Sequence, residues 1–162
     1  MSLVRKIART GRVAEPAAWT EPADAPVPDA ARHLRGSLQL RHVDAGSCNG
    51  CEVEIGSCFG PVYDGERYGV RLVASPRHAD ALLVTGPVTR NMAEPLRRTY
   101  DATPGPKLVV ALGDCALNCG VFRGAYGVVG AVGDVVPVDL EVPGCPPDPR
   151  AILRALRGLV QR

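Results

Sequence analysis

Aromatic side chains make up only 4% of the 162 residues and the formal net charge is +2, so the chain lacks both the stacking rings and the basic field by which proteins hold nucleic acid. Nucleic acid is set aside on both counts. No apolar run approaches the roughly 20 residues that cross a bilayer, which restricts any membrane association to peripheral contact or to a partner. There is no Gly-x-Gly-x-x-Gly turn and no phosphate loop, which leaves NADH or nucleotide binding in this chain without support. The three histidines, His33, His42 and His78, share no spacing with one another or with the cysteines and read as surface or strand residues. A secretory signal is also lacking. The six cysteines therefore read as metal or redox thiols in a reducing, cytoplasmic setting, and not as a disulfide framework.

What is present suffices for one domain: 46% of the residues are apolar, enough for an ordinary core, and no large second domain fits. Residues 1–36 stand apart from 37–162. Leu3, Val4, Ile7 and Ala8 share a helical face, with Arg5, Lys6, Arg9 and Arg12 largely elsewhere. That pattern predicts a short basic amphipathic helix suited to an anionic membrane surface or a partner's groove. From Val13 to about Ala30 the chain is rich in Pro and Ala, which predicts an extended arm.

From Ser37 onward strand and helix signals alternate. Strands are predicted over Ser37 to Val43, Arg67 to Val73, Ala81 to Val84, Lys107 to Leu112 and Val135 to Val142. Helices are predicted over Glu52 to Phe59, Met92 to Ala102 and Ala151 to Val160, the last introduced by Pro149. The continuous apolar run ending at Leu112 is that of a central parallel strand covered on both faces. The alternation predicts a three-layer α/β domain with a mostly parallel sheet.

The cysteines are not scattered in this scheme. Cys48, Cys115 and Cys145 each follow a predicted strand, at the carboxyl edge where such sheets bind ligands. Cys51, two residues beyond Cys48 across Asn49-Gly50, makes four thiols from three loops. Thiolates so spaced can face one soft metal centre, with the N–H groups of a following helix stabilising their charge. Four is the number that a 4Fe-4S cluster or a tetrahedral zinc requires. Zinc would pair Cys48 and Cys51 with Cys115 and Cys119 and leave Cys145 spare; a bare redox dithiol is the third reading. Cys145 in a Gly-Cys-Pro-Pro setting favours the cluster, because Cys-Pro also occurs in ferredoxin-type ligand runs. Cys58, about two helical turns beyond Cys51, reads as a small buried hydrophobe and Cys119 as a non-ligand. Glu54 and Asp114 are carboxylates expected near the cluster, as redox-linked proton sites or as plain caps. Asp64 and Arg67 are spaced to pair.

Five ordered motifs carry a resemblance. They are Cys48-x-x-Cys51-x-x-Glu54, Pro61-x-x-Asp64-x-x-Arg67-x-Gly69, the run from Ser75 to Gly86, Gly113-Asp114-Cys115-Ala116, and Val142 to Asp148-Pro149. Together, over about Gly46 to Leu159, the chain resembles the family shared by the B (PSST, 20 kDa) subunit of NADH-quinone oxidoreductase and the small subunits of membrane-bound energy-converting NiFe hydrogenases. The resemblance implies a flavodoxin-like α/β domain holding one 4Fe-4S cluster on Cys48, Cys51, Cys115 and Cys145. It implies an electron-transfer role, a site completed by a large catalytic subunit, neighbouring iron-sulfur and membrane-arm subunits, and a peripheral place on the cytoplasmic face of the membrane. The loops 46–51, 86–92, 113–120 and 143–148 are the expected interface with that large subunit. The Cys48-x-x-Cys51 spacing, where complex I proteins carry adjacent cysteines, is similar to the formate hydrogenlyase and hydrogenase-4 type. The stretch Val121 to Gly127 lacks the His- and Tyr-bearing sequence of the quinone-reducing branch, which remains the alternative.

Overall fold

The computed structural model of the chain describes residues 3–11, 28–34 and 36–160. A basic helix α1 runs over Leu3–Thr10 with Val4 and Ile7 exposed, and most of the expected extended arm lies outside the described residues. Strand β1, Leu38–Asp44, is followed by helix α2, Gly50–Cys58, and strand β2, Val70–Leu72. Next come β3, Ala81–Thr85, a short strand β4, Val88–Thr89, and helix α3, Arg90–Ala102. Strand β5, Leu108–Leu112, leads into a single turn α4, Asp114–Asn118; β6, Val128–Gly130, β7, Leu140–Val142, and helix α5, Pro149–Val160, complete the chain.

Five strands form one parallel sheet in the order β2-β1-β3-β5-β7, while β4 and β6 make a separate antiparallel ribbon. β3 and β5 are buried at every position because helices cover both faces. On one face Leu38, Leu40, Leu83, Val110 and Leu112 meet Ile55 of α2 and Ile152, Leu153, Leu156 and Leu159 of α5. On the other, Val43, Leu82, Val84, Val109 and Ala111 meet Leu96 of α3 and Ala116 of α4. The α5 start is set by Asp148, whose Oδ1 accepts the N–H groups of Arg150 and Ala151, with Pro149 supplying a first-turn residue that needs no donor. This is the predicted α/β architecture.

Because β1 lies inside the sheet with β2 on one side and β3 on the other, the chain changes direction between β1 and β3, and their carboxyl ends open a crevice there. Two predicted strands prove shorter than expected. Asp64 and Gly69, both left-handed, bracket a 3-10 turn at Gly65–Tyr68 and delay β2 to Val70. A second 3-10 turn at Val132–Asp134, with Pro137 beyond it unable to donate a ladder bond, delays β7 to Leu140. Asp64 and Arg67, expected to pair, form no ion pair among the described residues: the Arg67 N–H takes the Asp64 carbonyl and its guanidinium lies over the Tyr68 ring.

Candidate metal centre

Each sulfur is delivered by a loop at the carboxyl edge of the sheet. After β1, the Oδ1 of Asp44 accepts the N–H groups of Gly46 and Ser47, at 2.8 and 2.7 Å, which turns the chain back over the sheet. Burial alone would raise the Asp44 carboxyl, but these N–H groups outweigh it and hold the pKa below its ordinary value. Asn49 then takes a left-handed conformation and starts α2, so that Cys51 lies in the first turn of the helix. After β5, Gly113 at φ +87 turns the chain into α4, which carries Cys115. A Cβ on Gly113 would stand 2.7 Å from the Cys51 sulfur, so glycine is what lets the two loops close on each other. After β7, Gly144 leads into Cys145.

The four thiols of these three loops face one cavity. Ser47, Cys48, Gly50, Cys51, Gly86, Asp114, Cys115, Cys145 and Pro146 line one cavity of about 110 Å³. Cys115 is buried and Cys51 half-buried at its floor; Cys48 and Cys145 are exposed at its rim. Burial, with Glu52 and the other three thiols adding to it, pushes the Cys51 thiol up to about 12. Cys115 is raised as well, by burial and then by Cys145 and Cys48. For Cys51 and Cys115 burial thus favours the protonated thiol, so a metal held there would have to displace their protons. Among the described residues no three His, Cys, Asp or Glu side chains are gathered closely enough to hold a single metal ion.

The other two cysteines are elsewhere. Cys58 is fully buried in the core under α5, its S–H directed at the Pro149 carbonyl, and burial followed by Glu54 and Asp148 pushes it up to about 12. Cys119 ends α4 in a left-handed conformation and does not line the cavity. Of the two expected carboxylates, Asp114 lines the cavity, but its Oδ1 accepts the Gly144 N–H at 2.8 Å; Glu54 does not line the cavity, and its charge acts on Cys58.

A polar cluster not anticipated from the sequence lies behind the cysteine loop. The Glu52 carboxylate accepts the Ser47 hydroxyl at 2.7 Å and the Thr85 hydroxyl, and His42 Nε2 stands 3.0 Å from Thr85 Oγ1 and 3.4 Å from Glu52 Oε1. Burial lowers the His42 pKa, against the opposing pull of Glu52 and Asp44. The register explains the meeting: His42 pairs with Leu83, so Thr85, two residues on, projects to the same face. Strand pairing brings His42 and Thr85 together and the packing of α2 adds Glu52, which is why spacing gave no sign of them.

The chain is similar in sequence and fold to known proteins. The family described as NADH ubiquinone oxidoreductase, 20 Kd subunit, matches residues 48–159. A probable membrane-bound hydrogenase subunit of Pyrococcus furiosus is 50% identical over 115 residues, covering 71% of this chain and 69% of its own. Formate hydrogenlyase subunit 7 of Escherichia coli is 45% identical over 122 residues, covering 75% of this chain, which spans 48% of that longer protein. Among solved structures, a chain of the membrane-bound sulfane sulfur reductase, an archaeal respiratory membrane complex, superposes with a TM-score of 0.69 at 32% identity, over 81% of this chain and 72% of its own. A chain of the NAD+-reducing [NiFe]-hydrogenase shares the fold, with a TM-score of 0.62 at 21% identity over 78% of this chain and 93% of its own.

Proposed function

This chain belongs to the NADH ubiquinone oxidoreductase 20 Kd subunit family, and on that premise we propose that it is the electron-transfer subunit of a membrane-associated, hydrogenase-type oxidoreductase, carrying one 4Fe-4S cluster. Members of its family are subunits of oxidoreductase complexes, membrane-bound hydrogenase and sulfane sulfur reductase among them. The observation that carries the reading is the convergence of Cys48, Cys51, Cys115 and Cys145 on one cavity from three separate loops. A ring of thiols around about 110 Å³ suits a group of several atoms. A lone zinc would need all four sulfurs drawn to about 2.3 Å from one point.

Cys48, Cys51, Cys115 and Cys145 would hold the cluster, which when bound supplies a one-electron redox centre. The chain's own contribution is to fix the four sulfurs from strand ends and to set Cys51 and Cys115 deeper than the exposed Cys48 and Cys145. Exposed Cys48 and Cys145 leave one side of the cavity open, which supports a large catalytic subunit covering loops 46–51, 86–92, 113–120 and 143–148. No helix among the described residues is long and apolar enough to cross a membrane, and we assign a peripheral position, held through partner subunits and the basic helix α1. The Cys48-x-x-Cys51 spacing and the hydrogenase names of the relatives at 45 and 50% identity favour the hydrogenase branch over quinone reduction.

The test is iron and acid-labile sulfide analysis of the full chain co-expressed with its large subunit, in wild type, Cys145→Ser and Cys58→Ser. Four irons with sulfide in wild type and Cys58→Ser, lost or converted in Cys145→Ser, is the expected result. Zinc without sulfide, or full retention in Cys145→Ser, overturns it. A co-purifying large subunit that lacks terminal cysteine pairs would move the assignment to the quinone-reducing branch.

A further inference from the structure

Glu52 immediately follows Cys51, and through its carboxylate the Cys48–Cys51 turn is fastened to the sheet. Oε2 accepts the Ser47 hydroxyl, and Ser47 immediately precedes Cys48 and lines the cavity. The same Ser47 oxygen accepts the Asn49 N–H at 3.0 Å, so the turn between the two cysteines is built on a hydroxyl that Glu52 orients. Oε1 accepts the hydroxyl of Thr85, which is fully buried at the end of β3, one residue before Gly86 of the cavity wall. Thr85 spends its single proton on Glu52, so its lone pair is free to accept His42 Nε2–H from β1. His42 itself is 3.4 Å from the carboxylate, farther than the Ser47 hydroxyl, so the carboxylate is held mainly by hydroxyl donors. Four segments are thereby joined at one carboxylate: β1, the cysteine turn, α2 and β3. None of these groups lies on the far side of the cavity, where Cys115 and Cys145 are presented.

We propose that Glu52 is a positioning residue whose two accepted hydrogen bonds, from Ser47 and Thr85, fix the Cys48–Cys51 turn over β3 and so set its distance from Cys115 and Cys145. This rests on the iron-sulfur reading for its consequence in the loaded protein, but the fixing of the turn is a property of the chain itself. Breaking these two part-buried bonds leaves the Thr85 and Ser47 hydroxyls without their acceptor, whereas an amide of the same shape keeps an acceptor for Thr85 and a donor for Ser47.

The experiment compares Glu52→Ala, Glu52→Gln and Thr85→Val in the full chain, purified with its co-expressed large subunit and again after chelation of iron. In the iron-free chain, amide hydrogen exchange over residues 46–51 is expected to quicken in Glu52→Ala and Thr85→Val and to stay near wild type in Glu52→Gln. In the loaded protein, iron retention under chelator is expected to fall about 10-fold or more in Glu52→Ala, with altered electron paramagnetic resonance g-values, both restored in Glu52→Gln. Wild-type exchange and g-values in Glu52→Ala overturn the proposal, and so does a Glu52→Gln variant as damaged as Glu52→Ala, since charge and not hydrogen-bond geometry would then matter. Failure of the iron-sulfur reading shows separately, as wild-type protein without iron or sulfide. The exchange arm still decides the role of Glu52 in that case, and Thr85→Val decides it if Glu52→Ala does not fold.

Discussion

Asp114 and Gly144 exchange two hydrogen bonds: the Asp114 N–H donates to the Gly144 carbonyl and the Gly144 N–H donates to Asp114 Oδ1, each at 2.8 Å. One residue further along each chain stand Cys115 and Cys145, so this bracket sets how far apart the two loops present their sulfurs. Asp114→Ala removes the side-chain half and leaves a half-buried N–H unpaired. A loss of about 1–3 kcal/mol in chemical denaturation is expected, and a smaller loss in Asp114→Asn, whose amide oxygen still accepts.

Gly113 and Gly86 should tolerate no side chain. Gly113 is at φ +87 with the Cys51 sulfur 2.7 Å from its would-be Cβ; Gly86 is at φ +74 with the Ser47 nitrogen at 2.4 Å. Left-handed backbone costs about 1–2 kcal/mol for alanine before any clash. In Gly86→Ala the obstacle is backbone that cannot swing away. Both variants are expected to lose iron, measured per chain, and Gly86→Ala to lose more thermal stability than Gly113→Ala.

Cys119 offers the converse case. Its φ of +67 is a conformation glycine adopts freely, and it does not line the cavity. Cys119→Gly is expected to keep full iron and sulfide content, the relief of roughly 1 kcal/mol of backbone strain offsetting the lost thiol contacts. Iron lost from this variant would put Cys119 among the ligands.

The His42 pKa is lowered from 6.5 by burial. The folded chain therefore binds the neutral ring, so this group's contribution to stability is fully present above pH 6.5 and is lost as pH falls below it. Thermal melts should show a decline from pH 7.5 toward pH 5 that is shallower in His42→Gln. An identical slope in the variant would assign the decline to other groups.

Helix α1 presents Val4 at 75% and Ile7 at 62% exposure alongside exposed Arg5 and Arg9. An apolar and basic surface of this kind suits an anionic bilayer. Deleting residues 1–12 is expected to leave iron content unchanged and to reduce recovery of the complex in the sedimented membrane fraction. Unchanged recovery would remove membrane attachment from the helix.

The sequence by itself determined the elements with strong local signals and the placement of the cysteines after them. The apolar runs of β3 and β5 and the heptad-like apolar spacing of α5 needed no partner to be recognised, since burial on both faces or on one stripe is written in residue order. It overextended β2 and β7, because the turns that shorten them depend on left-handed residues and 3-10 bonds that hydrophobic alternation does not report. The ribbon of β4 and β6, two and three residues long, carries too short a pattern to be read at all. Tertiary structure alone decided the rest. That Cys48, Cys51, Cys115 and Cys145 line one cavity while Cys119 turns away follows from parallel strand order and from the local twist of single residues. That His42 meets Thr85, 43 residues away, follows from the β1–β3 register, and that Glu52 meets Thr85, 33 away, follows from where α2 is set down beyond β1, because a hydrogen bond forms between neighbours in space and sequence spacing encodes only neighbours along the chain.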